Sequence, residues 1–193
     1  MNKIYEIPEE HVGNKRKEYI SNDKACMLTA CVWSLRSKDP STGVGACFVN
    51  QEGRIISIGY NGTPNGWDDN TFPWGKPDDM KYSKYSYVVH AEKNAIANHN
   101  GRISDFKDAT LFVTLFPCNE CAKDLVQFGI KKVIYLSDKY KDSDSTKAAK
   151  KTFEECGIKY VSFKEIDEEY YEELRKLLVL DKEEVKKIEY IKK

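Results

Sequence analysis

Histidine is scarce in this chain: among 193 residues only His11, His90 and His99 occur. Any site that needs an imidazole must draw on one of these three. An excess of charge of one sign is also missing, since 31 Lys and Arg balance 31 Asp and Glu. Nucleic-acid binders take most of their affinity from phosphate neutralisation and usually carry a basic surplus. The balance here argues against nucleic acid as a partner. No apolar run approaches the roughly 18 residues of a membrane span. The opening MNKIYEIPEEHVGNKRKEYI has no apolar core of a secretory signal. Six cysteines, Cys26, Cys31, Cys47, Cys118, Cys121 and Cys156, lack the density of a secreted disulfide scaffold. A reducing, cytoplasmic compartment is expected, with no membrane association. One CxxC pair is present; a second is missing.

What is present fits a single core-forming domain. Residues 1–21 are polar and mixed and read as an N-terminal arm. Ser21 or Asn22 can cap a helix through KACMLTACVWSLRS, where Ala25, Leu28, Val32 and Leu35 recur at helical spacing. Pro40 forces an exit. VGACFV and RIISIGY are of strand length and joined by NQEG, the pattern of a hairpin. From Gly62 to Tyr87 the composition turns to Gly, Pro, Asp and aromatics, a loop too long to be a mere connector. HAEKNAIANHNG reads as a helix closed by Asn100-Gly101, ATLFVTLF as a buried strand, and Pro117 as the opening of the next helix. LVQFGIKKVIYLS and FEECGIKYVSFKE echo each other as helix, glycine, strand. Gly129 and Gly157 suit the left-handed residue that ends a helix, and two such units favour neighbouring parallel strands. Residues 164–193 form a charged C-terminal extension with helical periodicity, a solvated helix or an oligomer contact.

The chemistry centres on PCNEC, residues 117–121. Two thiols three positions apart serve as a redox couple, half of a structural zinc site, or part of an active site. A structural zinc site wants four ligands, and no second CxxC supplies them. His90 adds one imidazole, giving three ligands and an open fourth position, the arrangement of catalytic zinc. A helix beginning near Cys118 favours thiolate over thiol through its partial positive charge. Glu92, two places after His90, is well placed to act as a base beside the metal. H-x-E with P-C-x-x-C is together the signature of zinc nucleobase deaminases. A zinc-stabilised module without catalysis is the competing reading, and the intact Glu92 argues against it.

The chain resembles the cytidine deaminase superfamily, and within it the deoxycytidylate deaminase branch. The similar segments are SLRSKDPSTGVGACFVN, GYNGTPNG, YVVHAEKNAI and LFPCNECAKDLVQFGIKKVIYLSDKYKDSD, in order, within residues 22–163. The resemblance implies an α/β fold, a three-layer α/β/α sandwich with a mixed five-stranded sheet. It implies a zinc-dependent deaminase domain over 22–163, with His90, Cys118 and Cys121 as zinc ligands and Glu92 as the proton shuttle. The reaction implied is hydrolysis of dCMP to dUMP and ammonia, feeding thymidylate synthesis. Deoxycytidine, dCTP or, further off, a nucleic-acid cytosine are the alternative substrates. Arg36, Ser37 and Lys38 are expected at the 5′-phosphate, and Asn61 at the sugar or base. Deoxycytidylate deaminases are typically homohexamers activated by dCTP and inhibited by dTTP with Mg2+. The turn Gly59, Tyr60, Asn61 and Gly62, with the loop after it, is expected near that regulatory site.

Overall fold

The computed structural model, which describes residues 8–13 and 15–179, builds its layers from strands whose side chains alternate between two faces. Its strands are β1 (Gly45–Val49), β2 (Ile55–Tyr60), β3 (Thr110–Leu115), β4 (Lys132–Ser137) and β5 (Lys159–Ser162). They lie in the order β2-β1-β3-β4-β5. β1 runs antiparallel to β2 and β3, while β3, β4 and β5 are mutually parallel neighbours. The helices are α1 (Asn22–Ser34), α2 (Ala91–Ala97), α3 (Asn119–Gln127), α4 (Asp144–Glu155), α5 (Phe163–Ile166) and α6 (Glu168–Val179).

Ala46, Phe48, Leu111, Val113 and Val133 are buried in one cluster with residues of α2, α3 and α4, including Ala95, Leu125 and Phe153. Cys47, Val49, Phe112 and Ile134 are buried in a second, with Met27 and Ala30 of α1, Phe163 of α5 and Leu174 of α6. Helices therefore cover both faces of one mixed sheet, the α/β/α sandwich that the resemblance implies. Each fully buried large apolar side chain contributes about 1.5–3 kcal/mol, so both faces hold the sheet. Gly129 and Gly157 take φ of 72° and 70°, ending α3 and α4 as the sequence echo predicts. Among the described residues no helix is long and apolar enough to cross a membrane.

Several local expectations shift. On α1 the buried residues are Cys26, Met27, Ala30, Cys31 and Ser34, whereas Val32 and Leu35 are exposed. The cause is close backbone approach: a Cβ on Gly45 would meet the Ala30 carbonyl at 1.9 Å. The α1 backbone at Ala30 and Ser34 therefore rests on Gly45, Met27 packs into the core beside it, and Val32 and Leu35 fall on the solvent side. α2 stops at Ala97 with Asn98 as its C-cap, three residues before Gly101. His99 ends the run by donating its ring to the Ile56 carbonyl at 3.0 Å. Pro117 precedes α3 rather than opening it, because Cys118 takes the N-cap. Residues 164–179 are not simply solvated. Leu174 is buried against the α1 face, and Lys24 meets Asp167 at 2.8 Å. The helical expectation for 180–193 lies outside the described residues.

The segment 62–87 is held by aromatic contacts, Trp67 with Phe72 (5.1 Å) and Tyr87 (5.2 Å), and Phe72 with Trp74 (4.5 Å). Its two ends are joined where Gly62 and Val89 exchange backbone hydrogen bonds of 3.0 and 2.9 Å. That bridge places the next residue, His90, beside the sheet edge.

Candidate metal centre and active site

Two helix starts converge at one end of the sheet. His90 is the N-cap of α2 and Cys118 the N-cap of α3, delivered by the chain leaving β3. The Cys121 N–H donates to Cys118 Sγ at 3.5 Å, so both thiols face the same point. His90 Nδ1 lies 3.4 Å from Cys118 Sγ and 3.3 Å from Cys121 Sγ. A tetrahedral zinc with Zn–N of about 2.0–2.1 Å and Zn–S of about 2.3 Å would separate its N and S ligands by about 3.6 Å. The three donor atoms thus fit the ion, and the donor set is the soft one that zinc favours. Lys93 of α2 and Asp124 of α3 pair at 2.9 Å and fasten the two helices together.

The electrostatics suit a ligand set. The Cys121 thiol donates to Cys118 and, against the cost of burial, His90 adds to it, holding the Cys118 thiol down at about 4. Cys118 in turn holds the His90 ring above its usual value. Glu92 is 4% exposed, and burial pushes its carboxyl above the usual carboxylate range. A carboxyl so raised takes up a proton more readily than an exposed one, a property that suits a general acid–base.

His90, Glu92 and Cys118 open onto a cavity of about 420 Å³, within the range of small-ligand sites. Val44, Val88, Leu115 and Phe116 supply apolar walls, and Asn61, Thr42 and Ser145 supply polar groups. Asn61 is 7% exposed. Its Oδ1 accepts from the Val44 N–H at 2.7 Å, and its Nδ2 donates to the Thr42 carbonyl at 3.0 Å and to Asp39 at 3.3 Å. Both amide donors are engaged by protein, which leaves the second lone pair of Oδ1 for a ligand.

The cationic segment sits elsewhere. Arg36 places its guanidinium 6.0 Å from the Tyr60 ring, Ser37 Oγ donates to the Asn61 carbonyl at 2.8 Å, and Lys38 pairs with Asp69. None of the three lines the cavity at His90. Lys38 instead borders a second cavity of about 220 Å³, with Tyr60, Gly62, Trp67, Trp74, Asn94 and Asn98. Within the GYNG turn, Tyr60 and Gly62 thus face one cavity and Asn61 the other, and Gly59 packs beneath α2. A Cβ on Gly59 would meet the Ala95 nitrogen at 2.3 Å.

Sequence reasoning missed Asp39, Lys76, Lys84, Tyr140 and Ser145, all of which line the larger cavity. Lys84 sits in an irregular stretch with no periodicity to mark it as buried. Ser145 had a signal: it follows the SDKYKDSD run, and its hydroxyl accepts from the Asn119 N–H at 3.2 Å and donates to Asn119 Oδ1 at 2.8 Å.

Comparison with known proteins agrees with this geometry. Residues 20–137 match the family model described as "Cytidine and deoxycytidylate deaminase zinc-binding region". The mouse deoxycytidylate deaminase is 49% identical over 150 residues, 77% of this chain and 83% of the relative. The probable deoxycytidylate deaminase of Drosophila melanogaster is 45% identical over 166 residues, covering 83% and 79%. The crystal structure of the dCMP deaminase from cyanophage S-TIM5, in complex with dCMP and dUMP, superposes with a TM-score of 0.56. It is 29% identical and covers 72% of this chain and 94% of that one.

Proposed function

Because the chain belongs to the cytidine and deoxycytidylate deaminase family, we propose that it hydrolyses dCMP to dUMP and ammonia with zinc at His90, Cys118 and Cys121. The observation that carries this reading is the convergence of those three donor atoms beside a buried Glu92, on a cavity of about 420 Å³. When bound, zinc supplies the Lewis acidity that makes water a competent nucleophile near neutral pH.

The rest is done by side chains of this chain. Glu92 accepts a proton from the attacking water and passes it to N3 of the cytosine, which makes C4 electrophilic. Oxygen adds at C4, Glu92 takes the remaining proton of that oxygen and delivers it to the amino group, and the C4–N bond breaks to release ammonia and leave the uracil carbonyl. Burial raises the Glu92 carboxyl above its usual range, which favours the protonated form through which both transfers pass. Phe116, Leu115 and Val88 exclude water from the base, and Asn61 Oδ1 is aimed to accept from a sugar hydroxyl. For the 5′-phosphate, Lys76 and Tyr140 at the same cavity are the donors in reach. Arg36, Ser37 and Lys38 act through the walls, with Ser37 holding the Asn61 backbone.

The smaller cavity is the place for a regulatory nucleotide, dCTP as activator and dTTP with Mg2+ as inhibitor. Supporting this are the stacking surfaces of Trp67 and Trp74, the amides of Asn94 and Asn98, and the Lys38 ammonium. α2 carries Asn94 and Asn98 to that cavity and starts at His90 and Glu92, so one helix touches both. A homohexamer is the assembly proposed, to be read from the solution mass. The test of function is ammonia release from dCMP, CMP, dCTP and deoxycytidine, each with and without dCTP or dTTP. Preference for dCMP supports the reading; deoxycytidine handled as well as dCMP would remove the phosphate from it.

A further inference from the structure

Asp39 and Lys84 form an ion pair whose side chains are 3% and 5% exposed, on the wall of the larger cavity. Both carboxylate oxygens accept from Lys84 Nζ at 2.6 Å. The same carboxylate accepts from the N–H groups of Ser41 (2.8 Å) and Thr42 (3.3 Å) and from Asn61 Nδ2 (3.3 Å). Asp39 is therefore the hub that shapes the 39–42 turn and aims Asn61. Lys84 belongs to the stretch that leads to His90. Its carbonyl accepts from the Val88 N–H at 2.8 Å, two residues before His90, and its own N–H donates to the Gly75 carbonyl at 3.0 Å.

A desolvated ion pair is a weak stabiliser, because the loss of hydration offsets much of the attraction. Apolar side chains of similar size would close the same wall at no loss of stability. What they would not reproduce is direction: a carboxylate held from both oxygens fixes the amide that donates to it. We infer that Lys84 is a positioning residue for the nucleotide. It holds Asp39, and through Asp39 it sets Asn61 and Thr42 against the segment that bears His90 and Glu92. This rests on the reading that the cavity takes a pyrimidine nucleotide. The pair then links the turn that aims Asn61 to the stretch that leads to His90. Misplacement of a binding group by about 1 Å is enough to cost about 100-fold.

The test compares wild type, Lys84→Met, and the double variant Asp39→Leu/Lys84→Met, for zinc content, urea stability, kcat and KM for dCMP, and the crystal structure. Lys84→Met strands a buried carboxylate and should lose stability. The double variant removes both charges and should recover stability and bind one zinc per chain. Its KM for dCMP should nonetheless stay raised by about 10- to 100-fold with kcat close to wild type, and its crystal structure should show the Asn61 amide turned from its present place. A double variant with wild-type KM and an unmoved Asn61 would overturn the proposal and leave the pair as wall material. So would a loss confined to kcat. A wild type that turns over no dCMP would fail the nucleotide reading instead, and the position of Asn61 in the double variant would still decide whether the pair holds it.

Discussion

Lys38 and Asp39 are consecutive residues whose side chains close two different cavities, Lys38 through Asp69 at the smaller and Asp39 through Lys84 at the larger. On the proposed reading, an anion entering the smaller cavity would compete with Asp69 for Lys38 and so act on the residue next to Asp39. Saturation by dCMP should therefore be sigmoidal, become hyperbolic with dCTP, and be inhibited by dTTP. Coupling between sites is typically about 1–3 kcal/mol, so the half-saturation point should move by roughly 5- to 150-fold. Trp67→Ala should blunt that response while leaving effector-free turnover intact, checked by steady-state rates. Hyperbolic kinetics indifferent to both triphosphates would leave the cavity without a regulatory role.

Metal content tests the ligand set directly. The purified protein should hold about one zinc per chain, and Cys118→Ala or Cys121→Ala should each lose it together with activity. Elemental analysis of the three proteins decides this. Full zinc in both variants would mean that other residues hold the metal.

Gly59→Ala probes the seat of α2. The added methyl would sit 2.3 Å from the Ala95 nitrogen and 2.6 Å from the Ala91 carbonyl, both backbone atoms that cannot swing aside. The helix that starts at His90 must lift, which costs about 1–3 kcal/mol as overpacking. Urea unfolding should show that loss, and zinc affinity should fall with it.

Much of this was readable before any coordinates, and the reason is chemical economy. The H-x-E and P-C-x-x-C patterns singled out His90 beside Cys118 and Cys121, and among the described residues their donor atoms lie together. Apolar runs of strand length and the glycines at 129 and 157 marked the sheet and the two helix ends. The misreadings have a common physical origin in tertiary contact. The α1 face was chosen by Gly45, which no helical period of α1 encodes. Lys84 and Asp39 meet across 45 residues through a loop without periodicity, and the direction of Arg36, Ser37 and Lys38 is set by a turn whose anchor is that same pair.

His99 gives a pH dependence of stability apart from the metal. Its Nδ1 faces the Ile56 carbonyl (3.0 Å), and its Nε2 faces Asp105 (3.0 Å) and the Arg102 carbonyl (3.2 Å), all acceptors. Burial opposes the charge, yet these acceptors outweigh it and hold His99 above its ordinary 6.5. A raised folded value means that the contribution is fully present below about pH 6.5 and is lost as pH rises through the folded pKa. The stability difference between wild type and His99→Gln, both zinc-saturated, should therefore be largest on the acid side and shrink above neutrality. A difference that grows with pH would contradict it.

The most direct test is single-enzyme turnover of dCMP by zinc-loaded wild type beside zinc-loaded Glu92→Gln, following dUMP and ammonia together. Glutamine keeps the shape of the buried side chain and removes its proton chemistry, so the variant should fold, bind one zinc and lose about 10²- to 10⁴-fold in rate. Wild type should form dUMP and ammonia in equal amounts. Near-normal turnover by a metal-replete Glu92→Gln protein, or a zinc-loaded wild type that leaves dCMP unchanged, would contradict the account.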